Sequence, residues 1–375
     1  MRRLVVCCDG TWKTADDGVV TNVVKLMDLV LPMAPDGTPQ IIYYGKGVGS
    51  GNFLDRVFGG AFGDGLETNV KDAYRFLVQN YAEDDEIYLL GFSRGAFTAR
   101  SLAGLIRCSG LVRKEHADHI TEAYKVYREK NDLGADKPSA IAFRAKYSRQ
   151  VRIKFIGVFD TVGALGVPIG TLFRRATIQE HGFHDTTLSS YVDNAFHALA
   201  IDEGRYTFEP SLWKSEPKVG QRLEQRWFAG VHSNIGGGYK EHGLSDYALR
   251  WMADRAVECD LALHPSYVNI AGAPEKPEDS RYLKFLPGNM RDVATHPLTW
   301  SETVDDSAAA VYAKFGEPAN YRTAKERAGN VAIVTSGPRI EIKKPDEAVP
   351  PRLVRAPLVR LLRGLFGSNS VERMP

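Results

Sequence analysis

The sequence predicts an α/β fold in which a mainly parallel sheet carries helices on both faces. Three observations predict it. Apolar runs and helix-periodic segments alternate from Leu4 to Val257. The runs Leu4–Cys8 and Ile87–Leu90 are apolar at every position, as strands buried on both faces of a parallel sheet require. Glycine-rich turns such as Gly45-Lys46-Gly47-Val48-Gly49 close the strands.

Leu4–Cys8 is the first strand. Thr21-Asn22 opens a helix carrying Val23, Val24, Leu26, Met27 and Val30, and Ile41–Tyr44 is the second strand. From Leu66, the apolar residues Val70, Ala73, Tyr74, Leu77, Val78 and Tyr81 fall at helical spacing. Ile87–Leu90 is the next strand and Ala96–Ile106 the helix after it. Strands are expected at Phe155–Phe159, Trp227–Gly230 and Val331–Val334, and a helix capped by Ser245 at its start runs through Val257. Residues 111–150 and 161–220 interrupt the alternation and are expected to be lid-like insertions at the carboxyl edge of the sheet. The resulting division is a catalytic domain over 1–345 and a basic amphipathic tail over 346–375.

The chain has 375 residues, 43% hydrophobic and 25% charged, with a formal charge of +2. That near-neutral balance gives no footprint for nucleic acid. The four cysteines (Cys7, Cys8, Cys108, Cys259) form no C-x-x-C pair, so neither a zinc site nor a disulfide framework is expected, and no cofactor is implied. The N-terminus has too short an apolar run for a signal peptide, and no stretch is long enough for a transmembrane helix. A cytoplasmically made protein is the expectation.

The stretch Ile87-Tyr88-Leu89-Leu90-Gly91-Phe92-Ser93-Arg94-Gly95-Ala96-Phe97 carries the chemistry. It matches G-x-S-x-G between an apolar strand and an apolar-periodic helix, the context a nucleophile elbow needs. Gly91 and Gly95 leave room for the sharp turn, Ser93 projects above the sheet, and the Arg94 amide is placed to donate to an oxyanion. Asp9-Gly10-Thr11 ends the first strand at the same edge. Its backbone at Gly10 and Thr11 is a candidate second oxyanion donor; alternatively, Asp9 caps a turn and holds the loop.

An ordered set of blocks accompanies this motif: Cys8-Asp9-Gly10-Thr11-Trp12, Thr21-Asn22-Val23, Tyr44–Gly49, Gly60-Ala61-Phe62-Gly63, Ala73–Leu77, Gly91–Ala96, Gly157–Gly163, His197–Glu203 and Trp227–Tyr239. In these blocks, covering about the first 300 residues, the chain resembles the α/β-hydrolase domain family whose best-known members are type VI secretion phospholipase effectors. The resemblance implies an α/β-hydrolase fold, an ester or phospholipid substrate, and the type VI secretion apparatus as a partner, with export that leaves no cleavable signal. Where the family carries Asp and Pro, this chain has Asn234 and Ala229. Asn keeps a carbonyl acceptor and loses the charge, which weighs against a metal or acid role at 234.

A serine nucleophile needs a base within reach and an acid to orient that base. α/β-Hydrolases order these as Ser, acid, His. Asp160 and His232 end successive strand segments after the elbow, so the expected catalytic set is Ser93, Asp160 and His232. Asp202 is the rival acid and His296 the rival base. His116 and His119 lie in a charged segment, and His181, His184 and Asp185 have ligand-like spacing in a loop; no metal site is expected. His197 is expected to be a packed core histidine or a support for the site.

The expected function is therefore serine-dependent cleavage of carboxylic esters, lipase- or phospholipase-like. The alternatives are a small-ester esterase or thioesterase, or a non-catalytic relative that binds lipid or protein. An aspartate-nucleophile phosphatase is set aside because Cys7 stands where the nucleophile would be, and the glycine clusters at 45–51 and 59–65 complete no phosphate-binding motif. The apolar segment Val162–Phe173 could wall an acyl chain or simply pack. In the tail, Leu358, Leu361, Leu362 and Leu365 share a face beside Arg360 and Arg363. Such a helix suits either a membrane surface or docking on the hydrolase body.

Overall fold

Seven parallel strands form the central sheet of the computed structural model, which describes residues 1–10, 20–47, 62–129, 134–162, 187–205, 208–277 and 302–316. In chain order the strands are β1 (Arg3–Cys8), β2 (Gln40–Gly45), β3 (Glu86–Phe92), β6 (Ile153–Phe159), β7 (Val192–Ala200), β8 (Arg222–Phe228) and β9 (Glu302–Val304). Two short segments, β4 (Leu111–Val112) and β5 (Ser148–Arg149), pair antiparallel outside it. The spatial order is β2-β1-β3-β6-β7-β8-β9. From β1 the chain moves first to one side and then crosses back to the other, so the switch point lies between β1 and β3. Open α/β sheets build their sites at the carboxyl edge of that crevice.

The helices are α1 (Asn22–Leu29), α2 (Phe62–Asn80), α3 (Arg94–Ser109), α4 (Ile120–Arg128), α5 (Pro138–Tyr147), α6 (His232–Gly236), α7 (Gly243–Glu258) and α8 (Ser307–Phe315). The strand side chains alternate between two buried clusters. Leu4, Val6, Ile87 and Leu89 face one layer with Ala73, Leu77, Leu102 and Ile106 from α2 and α3. Val5, Cys7, Tyr88 and Leu90 face the other, with Leu26 of α1 and Leu249 and Met252 of α7. This is the parallel, doubly covered sheet that the unbroken apolar runs require. All four cysteines are free and buried, and burial pushes the Cys8 thiol up to about 12, so it packs as a hydrophobe.

Four sequence expectations change. The stretch 161–220 is not wholly an insertion, because β7 runs through it between β6 and β8. The stretch 111–150 is not a lid over the carboxyl edge. Its α4 and α5 stack on the outside of α3 and are tied to that helix's far end: Ser109 Oγ donates to the Ala123 carbonyl at 2.7 Å, and Arg144 donates to the Cys108 carbonyl. Ser109 is about 24 Å along the helix from Ser93 at 1.5 Å per residue. Ser245 is not the cap of α7 but lies inside its first turn, where its hydroxyl donates to the carbonyl of His242, the capping residue, at 3.0 Å. The Trp227 strand begins earlier and ends at Phe228. Thr21 does cap α1, accepting the Val24 N–H at 3.3 Å.

Thr11, His181, His184, Asp185, His296, the strand expected at Val331–Val334, nearly all of the apolar segment after Val162, and the C-terminal tail lie outside the described residues. Among the described residues, no helix is long and apolar enough to cross a membrane.

Candidate active site

Strand register brings the candidate residues to one edge. Cys8 is level with Gly91, Phe92 with Phe159, Phe159 with Ala198, and Ala200 with Phe228. The residues that follow these strand ends are Gly10, Ser93, Asp160, Asp202 and His232, all at the carboxyl side.

Ser93 stands between β3 and α3 with φ 57° and ψ −120°, a conformation that costs on the order of 1–3 kcal/mol for a residue with a side chain. Its N–H donates to the Phe159 carbonyl at 3.1 Å, which ties the turn to β6. The turn closes only because its flanks lack side chains. A Cβ on Gly95 would sit 2.0 Å from the Cys8 carbonyl oxygen, and one on Gly91 2.6 Å from the Ala96 Cα. Gly10 packs as tightly: a Cβ there would lie 2.7 Å from the Arg94 nitrogen and 2.8 Å from the Ser93 Cβ. The Arg94 side chain donates back to the Gly10 carbonyl through Nη2 at 2.8 Å.

Asp9 is buried and accepts from the Thr21 hydroxyl at 2.7 Å and the Tyr44 hydroxyl at 3.2 Å. Its own N–H donates to the Gly45 carbonyl at 2.9 Å. These three contacts hold the turn after β1, in keeping with the loop-holding alternative.

His232 opens α6 and lies between two rings, with Phe92 at 4.7 Å and Phe208 at 4.8 Å between centroids. Phe92 is the residue before Ser93, so the imidazole packs directly beside the serine turn. His232 Nδ1 lies 2.7 Å from Asp160 Oδ2, with the carboxylate fully buried. A carboxylate only accepts, so Nδ1 is the donor in this bond and Nε2 is the ring nitrogen outside it. Asp160 is itself fixed: its N–H donates to the Ala198 carbonyl at 2.7 Å, and its Oδ1 accepts the Ala200 N–H at 3.2 Å. It also carries φ 35°, a second strained residue at this edge.

The rival acid is otherwise engaged. Asp202 accepts the Gly230 N–H at 2.6 Å and the Tyr312 hydroxyl at 2.7 Å, and burial holds its carboxyl above the usual range. Asn234 accepts the Val231 N–H at 3.1 Å and so braces the entry to α6. His197 is wholly buried and accepts the Thr161 N–H at 3.0 Å on Nε2; burial and then the nearby Arg100 push it well below the usual imidazole value. It is a neutral core histidine that anchors the residue after Asp160. On the 111–150 segment His119 stacks on Tyr147 and His116 meets the same ring edge-on.

Sequence reasoning missed Glu203. Its carboxylate is fully buried, pairs with Arg205 at 2.7 Å, and accepts the His232 backbone N–H at 3.2 Å. Arg205 lies over Phe208, 3.6 Å from the ring centroid, so one short segment cradles the histidine from two directions. Burial pushes the Glu203 carboxyl up, but the hydrogen bonds and charge of Arg205 outweigh it and leave it below the usual range. The available signal was the Glu-x-Arg spacing immediately after a strand end. Among the described residues, no group of three or more His, Cys, Asp or Glu side chains could hold a metal ion.

Comparisons with known proteins find similar chains. The chain is 29% identical over 240 residues to the uncharacterized protein YEL023C of Saccharomyces cerevisiae, covering 58% of this chain and 33% of that protein. Among solved structures it is similar to an uncharacterized protein from Pseudomonas aeruginosa, with a TM-score of 0.39 and 18% identity over 72% of this chain and 49% of that one. It is also similar to the Tle1 effector bound to the VgrG spike from the type 6 secretion system, with a TM-score of 0.38 and 20% identity over 64% of this chain and 51% of that one. The chain thus spans from a third to about half of the length of these relatives. Residues 2–255, from the second residue of the chain to the last turn of α7, match a single family description, and the chain belongs to the type VI secretion Tle1-like phospholipase effectors, catalytic domain.

Proposed function

We propose that the chain hydrolyses carboxylic esters of lipids, phospholipids foremost, through Ser93, His232 and Asp160. The observation that carries this reading is the buried His232–Asp160 hydrogen bond of 2.7 Å, with the imidazole packed against the ring of the residue preceding a strained Ser93. The family supports the phospholipid class and, as a partner, the type VI secretion apparatus.

The chemistry follows the geometry. His232 Nε2 takes the Ser93 hydroxyl proton as Oγ attacks the ester carbonyl, and Asp160 stabilises the imidazolium that forms. The carbonyl oxygen becomes an oxyanion and accepts from the Arg94 N–H at the start of α3 and from the backbone at Gly10. Collapse expels the alcohol, which takes the proton from the imidazolium and leaves an acyl-serine. Water, deprotonated by His232, repeats the sequence and releases the fatty acid. Phe92 and Phe208 keep one side of the imidazole dry, which strengthens its bond to Asp160.

The test is fatty-acid release from phospholipid vesicles and from a short-chain soluble ester by the purified chain. Both activities are expected, and both are expected to fall by at least about 10⁴-fold in Ser93→Ala. Hydrolysis that is unchanged in Ser93→Ala contradicts the serine mechanism.

A further inference from the structure

We infer that Glu203 is a positioning residue for His232: its carboxylate holds the histidine's backbone N–H and sets a second buried negative charge beside the imidazole, in addition to Asp160. The inference rests on the proposed role of His232 as the base. Three observations carry it. Glu203 Oε2 accepts from both the His232 N–H at 3.2 Å and Arg205 Nη2 at 2.7 Å, so the oxygen lies between the histidine and the guanidinium. The carboxylate has no exposed surface, so its charge is little screened. The same Arg205 lies over Phe208, whose ring meets the imidazole, so displacing the ion pair disturbs both supports of His232.

A buried ion pair is a weak source of stability, because desolvation offsets much of its attraction. A function explains its presence at this point better than stability does. Base catalysis creates an imidazolium, and a fixed carboxylate next to it favours that charge in the transition state more than in the resting enzyme. Fixing the backbone N–H also sets where the ring stands relative to Ser93.

Among the described residues, the charged groups at this edge include Arg94, bonded to the Gly10 carbonyl, and Asp9, which accepts from Thr21 and Tyr44. Asp160 follows β6, and Asp202, Glu203 and Arg205 follow β7, Asp202 being bonded to the Gly230 N–H and the Tyr312 hydroxyl. On the facing α7, Asp246 is paired with Lys25 of α1 and with His242. Removal of the Glu203 charge is therefore read against a background that is already paired.

The experiment titrates the His232 imidazole by NMR in protein carrying carbon-13 histidine, with the resonance assigned by its loss in His232→Gln. Glu203→Gln keeps an oxygen for the His232 N–H and removes the charge. It is expected to lower the His232 pKa by about one unit or more, and to move the acid limb of kcat/KM to lower pH by the same amount. If that variant does not fold, Glu203→Gln with Arg205→Gln removes the pair as a unit, and a smaller fall in the same direction is expected. An unchanged His232 pKa in either folded variant overturns the inference. The NMR readout needs no turnover, so a protein without hydrolase activity would sink the proposed function while still testing Glu203.

Discussion

His232 Nδ1 and Asp160 Oδ2 lie 2.7 Å apart although 72 residues separate them in the chain, and neither side chain is more than slightly exposed. Parallel order makes this contact inexpensive. Asp160 leaves β6 level with the end of β7, and His232 enters α6 just past β8, so both arrive at one edge without a special loop. Asp160→Asn keeps an acceptor for the Ala200 N–H but no longer selects the Nδ1–H tautomer. The expected loss is about 10³- to 10⁴-fold in kcat with a melting temperature near that of the unsubstituted protein. Asp202→Asn, by contrast, is expected to leave kcat within a few-fold. Steady-state ester hydrolysis with thermal melts separates the two, and equal losses would return Asp202 to contention as the acid.

Asp202 makes a separate prediction about stability. Its folded carboxyl is held above the usual aspartate value by burial, so the folded state binds its proton more tightly than the unfolded state does. Stability from this group is present at low pH and is lost as pH rises from the ordinary aspartate range through the raised value. Asp202→Asn removes that loss. The melting temperature of the variant relative to the parent should therefore climb with pH across that window and level off above it. A difference that stays constant with pH would show that the group is not perturbed.

His197 acts in the opposite sense. Its imidazole is buried and neutral, with a folded value well below the ordinary 6.5. The unfolded chain binds its proton more readily, so stability is present above 6.5 and is lost as pH falls through the window beneath it. The full slope from one such group is about 1.4 kcal/mol per pH unit. Urea unfolding between pH 7.5 and 5.5, on the order of one unit either side of the ordinary imidazole value, should show a smaller slope for His197→Gln by up to one proton. Equal slopes would mean that His197 titrates alike in the folded and unfolded protein.

Gly10→Ala tests the turn beside the serine. The added Cβ would stand 2.4 Å from the Phe92 carbonyl oxygen, a backbone atom that cannot rotate away. The expected cost is about 1–3 kcal/mol of stability and a kcat loss on the order of 10²-fold or more as the Arg94 amide is displaced. Gly95→Ala, aimed at the Cys8 backbone from 2.0 Å, should be the more damaging for folding. A fully active, fully stable Gly10→Ala would mean the turn yields and does not frame an oxyanion.

Much of this was legible because parallel sheets announce themselves in unbroken apolar runs and because strand ends fix the active edge. Ser93, Asp160 and His232 could be placed on that edge from strand ends alone. β7 was hidden for a physical reason: Asp193, Asn194 and His197 break its apolar run, yet Asn194 donates to the Lys154 carbonyl and His197 Nε2 accepts the Thr161 N–H, partners that the sequence does not reveal. The 111–150 segment looked like a lid because charge and helical period do not reveal which end of α3 it contacts. Glu203 escaped notice because its partner through space, the His232 N–H, is a backbone group with no sequence signature.

The most direct measurement is covalent. The purified chain is treated with a fluorophosphonate, digested, and the modified residue is located by mass spectrometry. The account predicts one adduct on Ser93, formed more slowly in His232→Ala and absent in Ser93→Ala. An adduct on another residue, or labelling that persists in Ser93→Ala, would contradict it.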